Sequence, residues 1–392
     1  MKNKIILLSK EVLLPEYIEV YGGKFWKTPN INDIAAKGTI FKNHYTAAPS
    51  TAMSFTSMHS GIYPHETNRK DYVKVNEFRE SKTTFHLLDE LGYSTHVLWS
   101  TNYSDIKEKY TRIYSPNTVF HDKVSFNQSV GVHLPFKNIV LSRNDDKANE
   151  ALKYISSVIN EVEKLDKIFL WIHLPHVISG RTSYGDDIDL VDIIVGFLRK
   201  SFGDESIFIT ADHGHMNLDK GRTTYGFDVY QNSIRVPLIT PKVNNLSSIE
   251  YPTSHIQLKD LLIKEFIERK DYIISDSAYY AQPFRKTALI KDNYKLIYNK
   301  LNNSYEFYDI TWDPFENHNI LKKRIVDHDR QRKVLTNQIY FYPYYEESLR
   351  ILNYLKNELK KIWRKAGFIE EKTNFIVRKL KNFKAYLKRI FK

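Results

Sequence analysis

Four short apolar runs, each closed by polar residues, punctuate the first 210 positions: Lys4 to Leu8, Tyr93 to Trp99, Ile168 to Ile172 and Ser206 to Thr210. Short, largely apolar runs of this length suit strands covered on both faces. Between them, apolar residues recur at three- and four-residue steps over Ile31 to Lys37, Thr84 to Leu91, Ala148 to Leu165 and Leu190 to Ser201, which is helical spacing. Strands alternating with helices predict an α/β fold with a mostly parallel central sheet sandwiched by helices, whose ligands bind beyond the carboxyl ends of the strands. After Pro237-Leu-Ile-Thr240 the pattern changes to a helix over Ile256 to Lys270 and then to tyrosine-rich strands at Ala288 to Ile290, Lys295 to Tyr298 and Tyr305 to Tyr308. These predict a small antiparallel subdomain. The expected division is a catalytic core over 1–240, the subdomain over 241–325 and a basic helical tail over 326–392.

A chain of 392 residues, 42% apolar, can bury a large core. It has no cysteine, which removes disulfides, thiolate metal sites and cysteine nucleophiles. No apolar run approaches membrane-spanning length, and Ile5 to Leu8 is too short for a secretion signal, so a cytoplasmic location is expected. The net charge of +12 favours acidic partners, and much of it lies at the C-terminus. There, Leu349, Leu352, Leu355, Leu359 and Ile362 form one apolar stripe, and Ile376, Leu380, Phe383, Leu387 and Ile390 a second stripe flanked by lysine and arginine. Residues 346–392 are therefore expected to hold the chain peripherally on the anionic inner membrane face. The competing reading packs both stripes on the catalytic domain or on a second copy of the chain. No nucleic-acid recognition motif occurs, so no nucleic-acid partner is expected.

Candidate chemistry sits where the sheet should end. Glu11 follows the first strand. The segment Ile207-Phe-Ile-Thr-Ala-Asp-His-Gly-His215 runs a strand into Asp212 and His213, a carboxylate and an imidazole side by side, which suit zinc or manganese. In Pro49-Ser-Thr-Ala-Met-Ser-Phe-Thr-Ser-Met-His-Ser-Gly61, Thr51 falls at a helix start, where it is either a cap or a hydroxyl nucleophile in an electropositive turn. His215 is open between a second metal, a substrate phosphate and a plain loop role. Lys220 and Arg222 are nearby cations that either bind phosphate or sit in solvent.

Thr28-Pro-Asn through Gly38-Thr-Ile-Phe-Lys-Asn43, followed by Ser60-Gly-Ile-Tyr-Pro-His65, resembles the segments flanking the nucleophile in the sulfatase-like branch of the alkaline phosphatase superfamily. Tyr230-Gln-Asn-Ser-Ile-Arg-Val-Pro237 and Tyr308-Asp-Ile-Thr-Trp-Asp-Pro-Phe-Glu-Asn-His-Asn319 resemble two of its later signatures. The resemblance runs from about residue 4 to about 320 and, by the family spacing back from Gly61, implies Thr51 as nucleophile. Sulfatases need a modifiable Cys or Ser there within Cys/Ser-x-Pro/Ala-x-Arg, whereas this chain reads Thr51-Ala-Met-Ser-Phe55. Threonine is the nucleophile of the phosphoethanolamine and phosphoglycerol transferases and of the nucleotide pyrophosphatases of the superfamily. The resemblance therefore implies a phosphotransferase working through phospho-threonine, with Glu11, Thr51, Asp212 and His213 around one zinc or manganese ion; a second metal stays open. Trp171-Ile-His-Leu-Pro-His176 and Val97-Leu-Trp-Ser-Thr-Asn102 resemble substrate-side elements. They imply His176 as leaving-group acid, with His173 and Asn102 beside the substrate. The expected partners are a lipid- or nucleotide-linked phospho-group donor and a glycan acceptor, with self-association left open. The rivals are a phosphodiester or phosphonate ester hydrolase, which shares the same nucleophile and metal, and a noncatalytic glycan- or lipid-binding protein.

Overall fold

The computed structural model describes residues 2–66, 82–99, 113–121, 146–174, 186–216, 219–222, 225–277, 285–321 and 342–365. Fourteen strands and eight α-helices are named below in chain order. The first group of strands is β1 (Lys4–Lys10), β2 (Thr39–Phe41), β3 (His44–Tyr45), β4 (Ser94–Trp99), β5 (Val119–His121), β6 (Ile168–Leu174), β7 (Ile207–Ala211), β8 (Leu238–Thr240), β9 (Ser248–Ile249) and β10 (Thr253–Ser254). Eight of them form one sheet in the order β5-β4-β6-β1-β7-β8-β2-β9. Pairing is parallel from β5 through β7, and only β8 runs against its neighbours. β3 and β10 make a separate short parallel pair.

The helices are α1 (Pro29–Lys37), α2 (Thr51–Ser60), α3 (Thr84–Glu90), α4 (Asp146–Val162), α5 (Asp186–Phe202), α6 (Gln231–Ile234), α7 (Leu258–Lys264) and α8 (Tyr342–Lys365). Strand parity sorts them onto two faces. Ile6, Leu8, Ile168, Leu170 and Ile172 pack with α1, α4 and α5. Ile5, Leu7, Phe169 and Trp171 pack with α2, α3 and α7. Both faces are buried, and each fully buried large apolar side chain contributes roughly 1.5–3 kcal/mol. This is the helix-covered, mostly parallel sheet that the apolar runs predict.

The second group of strands is β11 (Ile273–Asp276), β12 (Lys286–Lys291), β13 (Tyr294–Asn299) and β14 (Ser304–Asp309), an antiparallel meander in that order. The helix expected over Ile256 to Lys270 is shorter: α7 stops at Lys264, where Glu265 turns into the left-handed region with φ 54°. Ile267 then packs back into the core, and Gln257 Nε2 donates to Glu268 O at 2.6 Å, so tertiary contacts override the helical spacing. α8 also departs from expectation. Leu352, Leu355 and Leu359 are buried with Ile274, Leu289, Leu296 and Phe307 of the meander. That apolar face is used inside the protein and is not available to a bilayer. The second stripe, Ile376 to Ile390, lies outside the described residues. No helix among the described residues is long and apolar enough to cross a membrane.

Candidate active site

The residues that carry chemistry converge at the carboxyl end of the central strands. β1 ends at Lys10, and Glu11 follows it with its amide donating to Leu174 O at 2.8 Å. β7 ends at Ala211 and delivers Asp212 and His213 from the neighbouring strand. Glu11, Asp212 and His213 are all buried, and one donor atom from each lies within 4.8 Å of the others. No second group of three such side chains occurs among the described residues.

The hydrogen bonds around these side chains leave atoms that could hold a metal turned toward one another. Asp212 Oδ1 accepts from the amides of Val12 at 3.0 Å and His213 at 2.8 Å. Its other oxygen, Oδ2, is buried without a hydrogen bond of regular geometry, 3.3 Å from His213 Nε2. His213 Nδ1 lies 2.8 Å from Gly214 O, an acceptor only, so Nδ1 carries the proton and Nε2 presents its lone pair. Burial pushes the Asp212 carboxyl up to about 7, against the amides of Val12 and His213, the Thr51 hydroxyl and the charge of Lys10. Burial likewise lowers the His213 imidazole, with Glu11 opposing. A buried carboxylate oxygen without a regular hydrogen bond, beside an imidazole lone pair, fits a divalent cation, which would supply the charge that burial withholds.

Thr51 is the first residue of α2. Ser50 stands at the N-cap with extended backbone, and its side chain makes no capping hydrogen bond. Thr51 does not cap either: its Oγ1 lies 3.1 Å from His213 Nε2. The hydroxyl therefore projects from an electropositive helix start into the carboxylate-imidazole cluster. α2 is held there from below, because Ser54 Oγ donates to Asp212 O at 2.5 Å and meets His255 Nδ1 at 3.0 Å. The Asp-His-Gly turn needs its glycine, since a Cβ on Gly214 would lie 2.0 Å from Asn232 O. Val12 holds φ 60°, a strained conformation for a β-branched residue, while aiming its amide at Asp212.

Of the remaining sequence-predicted residues, His173 is fully buried next to this cluster, edge-on to Phe55 of α2 at 4.7 Å. His215 is half-buried beside Tyr225, whose ring also covers His213 at 4.4 Å. Lys220 is committed elsewhere: its ammonium donates to Phe315 O at 2.7 Å, Glu316 O at 2.8 Å and Asn317 Oδ1 at 2.8 Å, which uses all three protons. Arg222 pairs with Asp228 at 2.8 Å, and Lys286 holds the other Asp228 oxygen. Asn102 and His176 lie outside the described residues. Sequence reasoning missed Lys10 and Ser9, both buried at the end of β1. The available signal was polarity: a serine and a lysine inside a strand that apolar residues cover on both faces.

Residues 2–177 match the Sulfatase family model. A putative sulfatase from Bacteroides thetaiotaomicron superposes with a TM-score of 0.65 at 15% identity, covering 93% of this chain and 94% of that one. The phosphonate monoester hydrolase of Agrobacterium radiobacter superposes with a TM-score of 0.60 at 12% identity, covering 90% and 96%. The fold is therefore that of the sulfatases. An arylsulfatase of Clostridium perfringens is 29% identical over 98 residues, which span 25% of this chain and 20% of that protein's length.

Proposed function

We propose that the chain is a metal-dependent phosphoryl-transfer enzyme in which Thr51 is the nucleophile. The observation that carries this is the Thr51 hydroxyl 3.1 Å from His213 Nε2, at a helix start and beside two buried carboxylates. Glu11, Asp212, His213 and Thr51 would hold one zinc or manganese ion, whose role is to acidify the Thr51 hydroxyl and polarise a phosphoryl oxygen. Thr51 Oγ loses its proton and bonds to phosphorus, the bond from phosphorus to the leaving oxygen breaks, and that oxygen takes up a proton. A second alcohol then gives up its proton and bonds to phosphorus, the bond from phosphorus to Thr51 Oγ breaks, and Thr51 Oγ takes up a proton. The first-turn amides of α2 favour the charge that builds on phosphorus oxygens.

Sulfate ester hydrolysis fits poorly despite the sulfatase fold. That chemistry rests on a formylglycine made from Cys or Ser, whereas Thr51 and Phe55 stand where the modified residue and its arginine would be. A second reading, phosphodiester or phosphonate ester hydrolysis with water as acceptor, is favoured by the likeness to the phosphonate monoester hydrolase. Both readings pass through phospho-Thr51. Incubating zinc- or manganese-loaded protein with an activated phosphodiester and glycerol, then mapping peptides by mass spectrometry, tests them together. A phosphate-bearing adduct on Thr51 is expected, with glycerol phosphoester as product for the transferase and inorganic or monoester phosphate for the hydrolase. Absence of any Thr51 adduct under single-turnover conditions overturns the nucleophile.

A lipid- or nucleotide-linked donor and a glycan acceptor are the substrate classes proposed. Anionic membrane contact is proposed through the basic residues after 365, and liposome flotation with and without them checks it.

A further inference from the structure

Ser9, Trp171 and His173 share the sheet face that packs on α2. Ser9 and His173 are directly paired across β1 and β6. All three are fully buried. Trp171 Nε1, which can only donate, gives its proton to Ser9 Oγ at 2.8 Å. The serine oxygen is thereby fixed as an acceptor, and its own proton must go elsewhere. Two acceptors are in range: His173 Nδ1 at 2.9 Å and Ile172 O at 3.5 Å. Hydrogen bonds of this kind centre near 2.7–2.8 Å and fade by 3.5 Å, so the hydroxyl points at the imidazole. Burial holds the ring well below its ordinary pKa, with Lys10 and His213 adding to the effect, so it is neutral and has a single N–H to place.

From this chain of donors we propose that Ser9 is a positioning residue that fixes His173 as the Nε2–H tautomer, so that His173 offers a neutral hydrogen-bond donor to a phosphoryl oxygen of the substrate. The proposal rests on the phosphoryl-transfer reading for the identity of that oxygen, but the tautomer does not depend on it. With the opposite tautomer, Nδ1–H would give its proton to Ser9, and Nε2 would carry a lone pair, which repels an anionic oxygen. Removing the partner that orients a site histidine typically costs on the order of 10–100-fold. One trace of the arrangement is legible in the sequence: Ser9 is the lone polar residue between Lys4 and Lys10, the two ends of β1.

The test is long-range nitrogen NMR on histidine-labelled, zinc-loaded full-length protein, with the His173 signals assigned by their loss in His173→Gln. A protonated Nε2 and a bare Nδ1 are expected in the wild type; a protonated Nδ1 overturns the proposal without any variant of Ser9. Ser9→Ala is then expected to mix the tautomers and to lower kcat roughly 10–100-fold with zinc content unchanged, while Ser9→Thr restores both. Ser9→Ala with wild-type kcat, beside an inactive Thr51→Ala, overturns the functional half. If no phosphoester is turned over at all, the phosphoryl-transfer reading falls and the tautomer measurement still decides Ser9.

Discussion

Asp212→Asn separates what the site needs from what the fold would prefer. The Asp212 carboxyl is pushed from 3.8 up to about 7 by burial. In the metal-free protein, an acid with a raised folded pKa keeps its proton while the unfolded chain gives it up. Stability is therefore lost progressively as pH rises from about 4 to about 7 and is constant above that. At about 1.4 kcal/mol per unit, the two units between pH 5 and pH 7 amount to roughly 2–3 kcal/mol. Buried His44, His59, His173 and His255, whose pKa values are all lowered by burial, act in the opposite direction below pH 6.5, so the wild-type profile alone does not isolate the carboxyl. The difference from Asn does, because Asn keeps an acceptor for the Val12 and His213 amides and carries no charge. Denaturant unfolding of both proteins in a chelator at pH 5 and pH 8 should show the Asn variant gaining about 2–3 kcal/mol on the wild type between the two values. Saturating zinc should reverse the order, since the wild type alone gains the full binding term. Parallel profiles from pH 5 to pH 8, or no reversal with zinc, refute the reasoning.

Thr51→Ala should abolish turnover while leaving the unfolding midpoint nearly unchanged, and Thr51→Ser should keep measurable activity because the attacking oxygen remains; steady-state rates check both. Lys295→Met should cost about 3–5 kcal/mol in denaturant unfolding, because it leaves Glu316, 2.7 Å away and buried, without its cation. Leu355→Ala should cost about 2–5 kcal/mol if α8 packs on the meander as described, and a cost near zero would detach that helix from the fold.

The central sheet was legible because its strands are continuous apolar runs and its helices keep their spacing. Glu11, Asp212 and His213 were legible as a group because each lies just past such a run, in a segment resembling the superfamily's metal motifs, and the structure brings the three together. Short pieces escaped: β3, β9 and β10 are two residues each, too brief for any period to register. The fate of Lys220 was equally hidden, since the carbonyls it serves lie about 95 residues further along the chain. Helix α8 shows the same limit from the other side. Its apolar stripe was plain, but a stripe does not say whether lipid or protein will cover it, and only the meander's own buried leucines and phenylalanine answer that.

The segment between the metal-side turn and α6 is gripped from the far sheet. Lys220 is tied to 315–317, Asp228 to Lys286, and the Gln231 amide to Glu316 at 2.6 Å. Gly214 in turn leans on Asn232 and Ser233, which belong to that same gripped stretch. The meander and the segment that follows it thus help to hold the Asp-His-Gly turn. A change that loosens one of these ties is therefore expected to be felt at Asp212 and His213 without touching either.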